Sequence, residues 1–362
     1  MLLLWLRLSF VLSALASPVL VTDHASLLAA LASTAPTISL STSISLTAPL
    51  VLSRPVELLG SADAALTLPC AAGASVVVLS PAASGSTLHG LRIACTGAPP
   101  PRHALPAALL ADGASRLLLT SLVIAGGAQL RGVHDSSLSF SDISNAVGAN
   151  AGTCVNVFGC GHSPSLTPCN VTVHDNLIHD CRFDGNSIYD ASAQGVLIGA
   201  ADGQGGASPC ATGVVVRNND LAGIDEMGIR VSSDTLCANP INQVVLNRVR
   251  DWGQASAKEG GDCADSGCLY SYGHWYSPGN NFSYNMCISS NASWGQNGLY
   301  FDDASTGNVA VGNIFVNSTA GIALKLNGGA FNRVDSNVVI GGIGAGDAVC
   351  RGLRPPENYI YT

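Results

Sequence analysis

The sequence predicts an all-β fold, a single-stranded right-handed parallel β-helix whose N-terminal end is capped by a short helix. Three observations predict it. A loose repeat places an apolar residue, a polar turn residue and an apolar pair in succession, with Asn at the turn in the later copies. A second repeat opens on Gly and then alternates in hydrophobicity, the period-two signature of strands. The composition is that of a repeat array, with 40 Gly, 11 % charged residues and Lys only at Lys258 and Lys325.

Taken in order, residues 1–17 form a short apolar run ending in Ala14-Leu15-Ala16, which reads as a signal peptide. The run falls short of the roughly 20 apolar residues that a membrane span requires. Residues 18–36 form the N-terminal cap. Within them Ala25 to Ser33 has helical apolar spacing and follows the capping candidates Thr22 and Asp23. A cap of this kind covers the apolar interior of an open first coil. Residues 37–350 form the β-helix, beginning with the short alternating strands at Thr37–Leu40, Ile44–Leu46, Leu50–Leu52 and Val56–Gly60. Residues 351–362 are a C-terminal tail with no evident cap, as in a truncated array.

The Asn-marked turn recurs at Val173-His174-Asp175-Asn176-Leu177, Val216-Arg217-Asn218-Asn219, Val245-Leu246-Asn247, Tyr284-Asn285-Met286, Val311-Gly312-Asn313-Ile314 and Val334-Asp335-Ser336-Asn337-Val338. Asn tolerates the left-handed backbone of a tight turn, and stacked copies can hydrogen-bond from coil to coil. An antiparallel sandwich would show hairpin signals every 8 to 12 residues, roughly, and a propeller a Trp-rich blade signature. The longer Asn-marked period favours the parallel coil over both.

The net charge of −8 lacks the basic face that a nucleic-acid partner needs. With 12 cysteines behind an export signal, the chain is expected to be secreted, extracellular or wall-bound, monomeric and disulfide-bonded. Close spacings such as Cys154/Cys160, Cys169/Cys181 and Cys263/Cys268 suit local loops. Sequons at Asn170, Asn281, Asn291 and Asn317 fit a secreted glycoprotein.

The second repeat aligns Gly195-Val196-Leu197-Ile198, Gly228-Ile229-Arg230-Val231, Gly267-Cys268-Leu269-Tyr270, Gly298-Leu299-Tyr300-Phe301 and Gly321-Ile322-Ala323-Leu324. Residues one and three after Gly should point inward, and residues two and four outward. Arg230 and Tyr300 then share an outward file. Without a slip, Asp302 and Lys325 become lateral neighbours about 4.8 Å apart at the backbone, on an exposed outer face.

The helix-then-strands opening and the Asn-marked coils resemble the pectin-lyase-like superfamily, over most of Ile38 to Ile340. Two blocks are more specific. Asp265-Ser266-Gly267 with Tyr270-Ser271-Tyr272-Gly273-His274-Trp275-Tyr276-Ser277-Pro278-Gly279-Asn280 is one, and Gly298 to Asn308 is the other. They resemble a pair of blocks in extracellular right-handed parallel β-helix repeat proteins. Many relatives with that fold cleave or remodel acidic polysaccharides, so the resemblance implies that substrate class. The Asp and Gly-His-Gly motifs of polygalacturonase-type hydrolases are missing. Where relatives often carry an Arg after a Gly-rich segment, this chain has Asn327-Gly328-Gly329-Ala330.

The favoured chemistry is therefore β-elimination. Lys325 and Arg230 would neutralise a uronate carboxylate, and His274 or Tyr272 would remove the adjacent carbon-bound proton. Tyr300, Tyr272, Tyr276 and Trp275 offer faces on which a pyranose ring can stack. A hydrolase using Asp302 with Asp265 as its paired carboxylates is the first alternative. Asp303, with Asp302 and Asp265, could hold calcium, an ion suited to oxygen ligands. A non-catalytic glycan-binding wall or matrix protein is the remaining class. It needs the aromatic faces but no convergent acid, base and cation.

Overall fold

A computed structural model describes residues 17–61, 63–69, 74–96, 107–144, 153–159, 169–181, 194–199, 211–233, 241–253, 266–273, 279–288, 296–302, 305–343 and 359–361. Its strands form three sheets of 13, 11 and 10 strands, and from Thr37 to Ile343 successive strands fall in the three sheets in turn. Apart from the opening pair, Val19–Val21 with Thr37–Leu40, strands that follow one another in the described chain do not pair, and pairing is parallel throughout, as between Val244 and Phe282 or Ile229 and Leu269. The result is a right-handed parallel β-helix. Among the described residues, no helix is long and apolar enough to cross a membrane.

The cap helix spans His24–Ala32. Asp23 caps its N-terminus, its carboxylate accepting from the Ser26 amide at 2.7 Å while the Ser26 hydroxyl accepts from the Asp23 amide at 3.2 Å. At the other end the Arg54 guanidinium donates to the carbonyls of Leu31 and Ala30, each at 3.1 Å, satisfying acceptors a helix end leaves open. Leu27 and Ala30 are the buried face. A strand, Val19–Val21, precedes the helix and pairs with Thr37–Leu40, so the stack begins before the cap.

The interior is filled from all three sheets. Leu, Ile and Ala dominate the early coils, and the fully buried Phe282, Phe301 and Phe315 fill the late ones. Two disulfides lie in this interior, Cys154–Cys181 and Cys268–Cys287. They join successive sheets across the coil rather than closing local loops, which corrects the pairings Cys154/Cys160, Cys169/Cys181 and Cys263/Cys268. Cys95 and Cys169 are also oxidised.

Asn is the coil's glue, though not in the conformation expected. Asn176, Asn219, Asn247, Asn285, Asn313 and Asn337 form one ladder, each side-chain amide donating to the next Asn carbonyl oxygen at 2.8 to 3.0 Å. The left-handed residue is the one before the ladder Asn: Asp175, Asn218, Leu246, Tyr284 and Ser336 have φ of 53° to 59°. The tight turn thus falls on an exposed residue, half-buried only at Asp175, while the ladder Asn turns inward and is buried in every coil but that of Asn337. A second ladder, Asn242–Asn280–Asn308–Asn332, runs along another edge of the late coils, at 3.1 to 3.2 Å.

Candidate functional site

The ten-stranded sheet carries the polar outer cluster. Its late strands are Gln194–Ile198, Met227–Ser233, Ser266–Gly273, Gln296–Asp302 and Leu324–Leu326. Pairing places Leu197, Arg230, Tyr270, Tyr300 and Lys325 in one outward file. Ser232, Tyr272 and Asp302 form the next.

The repeat aligned on Gly is therefore corrected in two coils. Leu269, not Cys268, lies opposite Ile229, because Cys268 takes the crowded position that Gly228 and Gly298 take in their own coils. At Gly298 an added Cβ would stand 2.6 Å from the Ala323 carbonyl oxygen, so the neighbouring coil leaves a side chain no room. In the last coil Leu324 stacks on Leu299. Lys325 accordingly lies beside Tyr300, and the backbone partner of Asp302 is Tyr272. The expected Asp302–Lys325 neighbours are separated by two positions along the strand. A one-residue slip also turns Tyr270 and Tyr272 outward.

The second correction concerns exposure. These residues leave the sheet on its outer side, yet Arg230 is 3 % exposed, Lys325 2 % and Asp302 4 %. They belong to a compact layer with Met227, Tyr270 and Tyr300, distinct from the interior core. The Tyr270 and Tyr300 rings meet edge to face at 5.1 Å. The Lys325 ammonium stands 3.8 Å from the centre of the Tyr300 ring, and the Arg230 guanidinium 5.4 Å from both Tyr270 and Tyr272. Such contacts offset part of the cost of taking a cation from water. Arg230 also donates from Nε to the Ser232 hydroxyl at 2.6 Å.

Asp302 is held from both sides. Its Oδ2 accepts from the Tyr270 hydroxyl at 2.5 Å, and its Oδ1 from the Asn327 amide at 2.7 Å. Burial drives the Tyr270 phenol well above its ordinary pKa, and the Asp302 charge pushes the same way while Arg230 opposes it. Tyr270 is thus a proton donor to Asp302 at neutral pH, not a base. Within this cluster Tyr272 and Asn327 keep partial exposure.

Asp302→Ala is expected to destabilise the protein by about 1–3 kcal/mol, because it strips buried donors of their acceptor. Urea unfolding measures this. An unchanged midpoint would mean that the carboxylate stands in water.

Sequence reasoning placed Arg230, Tyr300, Asp302, Lys325 and Tyr272 on this sheet, and the structure gathers them into one layer. Asp265, His274, Trp275, Tyr276, Asp303 and Asn291 lie outside the described residues. Tyr270, Ser232, Met227 and Asn327 were missed. The alternation Leu269-Tyr270-Ser271-Tyr272 was the available signal, since Leu inward forces both Tyr outward. Among the described residues, no group of three His, Cys, Asp or Glu could hold a metal ion. Two histidines outside this layer have acidic partners. His174 pairs with Asp175, and His179 sits between Asp142 at 2.9 Å and Asp180 at 2.8 Å. Of the remaining sequons, Asn170 and Asn317 are exposed and Asn281 is half-buried.

Comparison with protein-family models and with curated proteins gives no match. Solved structures do match. An alginate lyase from Paenibacillus sp. str. FPU-7 superposes with a TM-score of 0.57 at 14 % identity, over 91 % of this chain and 99 % of that one. DFA-IIIase from Arthrobacter chlorophenolicus A6, in complex with DFA-III, gives 0.52 at 11 % identity, over 90 % and 81 %. The chain is a right-handed parallel β-helix protein. At these identities the likeness establishes the fold of this β-helix and not its reaction.

Proposed function

We propose that this β-helix protein acts outside the cell on an acidic polysaccharide and cleaves it by β-elimination. The observation that carries this reading is the make-up of the outer layer. Among the described residues of the layer, two cations, Arg230 and Lys325, flank a bank of tyrosines, and one carboxylate, Asp302, is already engaged by two donors. Hydrolysis uses two carboxylates, as acid and as base or nucleophile. Elimination at a uronate needs positive charge near its carboxylate and one group able to take the proton from C5. That proton leaves as the C4–O bond breaks, a C4=C5 double bond forms, and the departing oxygen gains a proton.

Tyr272 suits the proton-transfer role because it keeps exposure beside Arg230. Tyr270 and Asn327 position Asp302, and Lys325 and Arg230 set a positive potential across the layer. The full-length likeness to an alginate lyase agrees with this substrate class.

A screen of the secreted protein on alginate, polygalacturonate and chondroitin sulfate tests the proposal, following ultraviolet absorbance of unsaturated ends together with reducing ends. Both signals should rise together on at least one polymer. Reducing ends without absorbance would replace elimination with hydrolysis. Binding without either signal would make this a non-catalytic glycan-binding protein of the wall or matrix.

A further inference from the structure

On the corner between the 13- and 11-stranded sheets, which does not border the ten-stranded sheet, the turn residues break their own pattern. Successive coils place Asp175, Asn218, Leu246, Tyr284, Gly312 and Ser336 at the left-handed position. Four of these are small or polar residues suited to such a turn. Leu246 and Tyr284 are large and apolar, yet they stand in water at 58 % and 63 % exposure.

The Tyr284 side chain does not wave free. Its ring lies against the backbone of Gly312 in the next coil, so closely that a Cβ there would stand 2.7 Å from two ring carbons. Glycine at this position lets the ring pack against the coil while most of the side chain remains open to water. An aromatic face fixed in this way is a stacking platform.

Charge surrounds the platform. Arg217 projects from the 13-stranded sheet one coil before Leu246, and Arg248 and Arg250 project from the 11-stranded sheet beside it. The carboxylates at the same corner are Asp175, Asp220 and, two coils after Tyr284, Asp335, which is paired with Arg333. Asp220 is shared by Arg250 at 3.2 Å and, more loosely, by Arg248 at 4.0 Å. Asp175 is hydrogen-bonded by His174 and Asn218. The Arg248 side chain is 52 % exposed. Arg248 stands one coil before the ring, paired with Met286 two residues after Tyr284, whereas Arg217 stands two coils before it.

We infer that the Leu246–Tyr284 corner, with Arg217 and Arg248, is a second glycan-binding site, one that holds an acidic polysaccharide away from the ten-stranded sheet. A pyranose ring stacks on Tyr284, and its carboxylate or sulfate faces Arg248. The inference rests on the acidic-polysaccharide reading for the class of its ligand, but not on the reaction. Its role is retention of a long polymer, since a short oligosaccharide cannot reach both faces of the coil.

Affinity electrophoresis of the full chain in gels containing alginate or polygalacturonate tests it, together with turnover of short oligosaccharides. Tyr284→Ala should weaken retention by up to about tenfold. Tyr284→Phe should retain it, and Arg248→Gln should weaken it and flatten its salt dependence. Short-oligosaccharide turnover and the melting temperature should stay unchanged in all three. Equal retention of Tyr284→Ala and the unmodified chain would overturn this site alone. No retention of the unmodified chain on any acidic polymer would overturn both this site and the proposed substrate class.

Discussion

Asn285→Ala is expected to destabilise the late coils by about 2–4 kcal/mol, a large share of the margin by which a domain stays folded. The estimate follows from what the side chain satisfies. Its Oδ1 accepts from the Asn247 backbone amide at 3.0 Å, and its Nδ2 donates to the Val244 carbonyl at 2.8 Å. Removing it leaves one buried backbone donor and one buried acceptor without these partners in a place water does not reach. The neighbouring Asn313 keeps its bond from the Asn285 backbone N–H and loses only the one from the side chain, so most of the damage falls on the step toward Asn247. Gln243→Ala, an exposed position in the strand of the preceding coil, serves as the control and should move stability by no more than about 0.5 kcal/mol. Urea unfolding followed by far-ultraviolet circular dichroism measures both. Equal midpoints would mean that the ladder is ornamental and that the interior alone holds the coils together.

That ladder is also where the sequence was most legible. Asn has a short amide that can donate and accept at once, so its recurrence three residues after an apolar residue marks a stacked turn. The second ladder was equally present in the letters, because Asn242, Asn280, Asn308 and Asn332 each precede a first-ladder Asn by the same interval. It was overlooked because the apolar turn motif was read without the residues that lead into it. The outer cluster was harder. Its members lie on one sheet face, but their order depends on register, and alternation cannot fix register where Gly is the anchor. Gly267 carries the repeat's Gly, yet Cys268 occupies the stacked position. Burial was not legible at all. Outward parity says which side of a strand a residue leaves, whereas exposure depends on what lies over that side.

Tyr272→Phe is expected to lower turnover on a polysaccharide that the unmodified chain cleaves by about 100- to 10,000-fold, the usual contribution of a positioned proton-transfer group. KM should change little, because the ring, its contact with Arg230 and its volume all remain. The discriminating comparison is Tyr270→Phe. That hydroxyl is committed to Asp302, and its phenol is held in the protonated form by burial and by the carboxylate beside it. Its loss should cost about 1 kcal/mol of stability and reduce kcat less than Tyr272→Phe does. The two hydroxyls differ in exposure and in partner, so a structural role and a proton-transfer role separate in the ratio of kcat to stability loss. Wild-type turnover in Tyr272→Phe would move the base to His274, the other candidate in the same sequence block, and His274→Ala would then carry the loss.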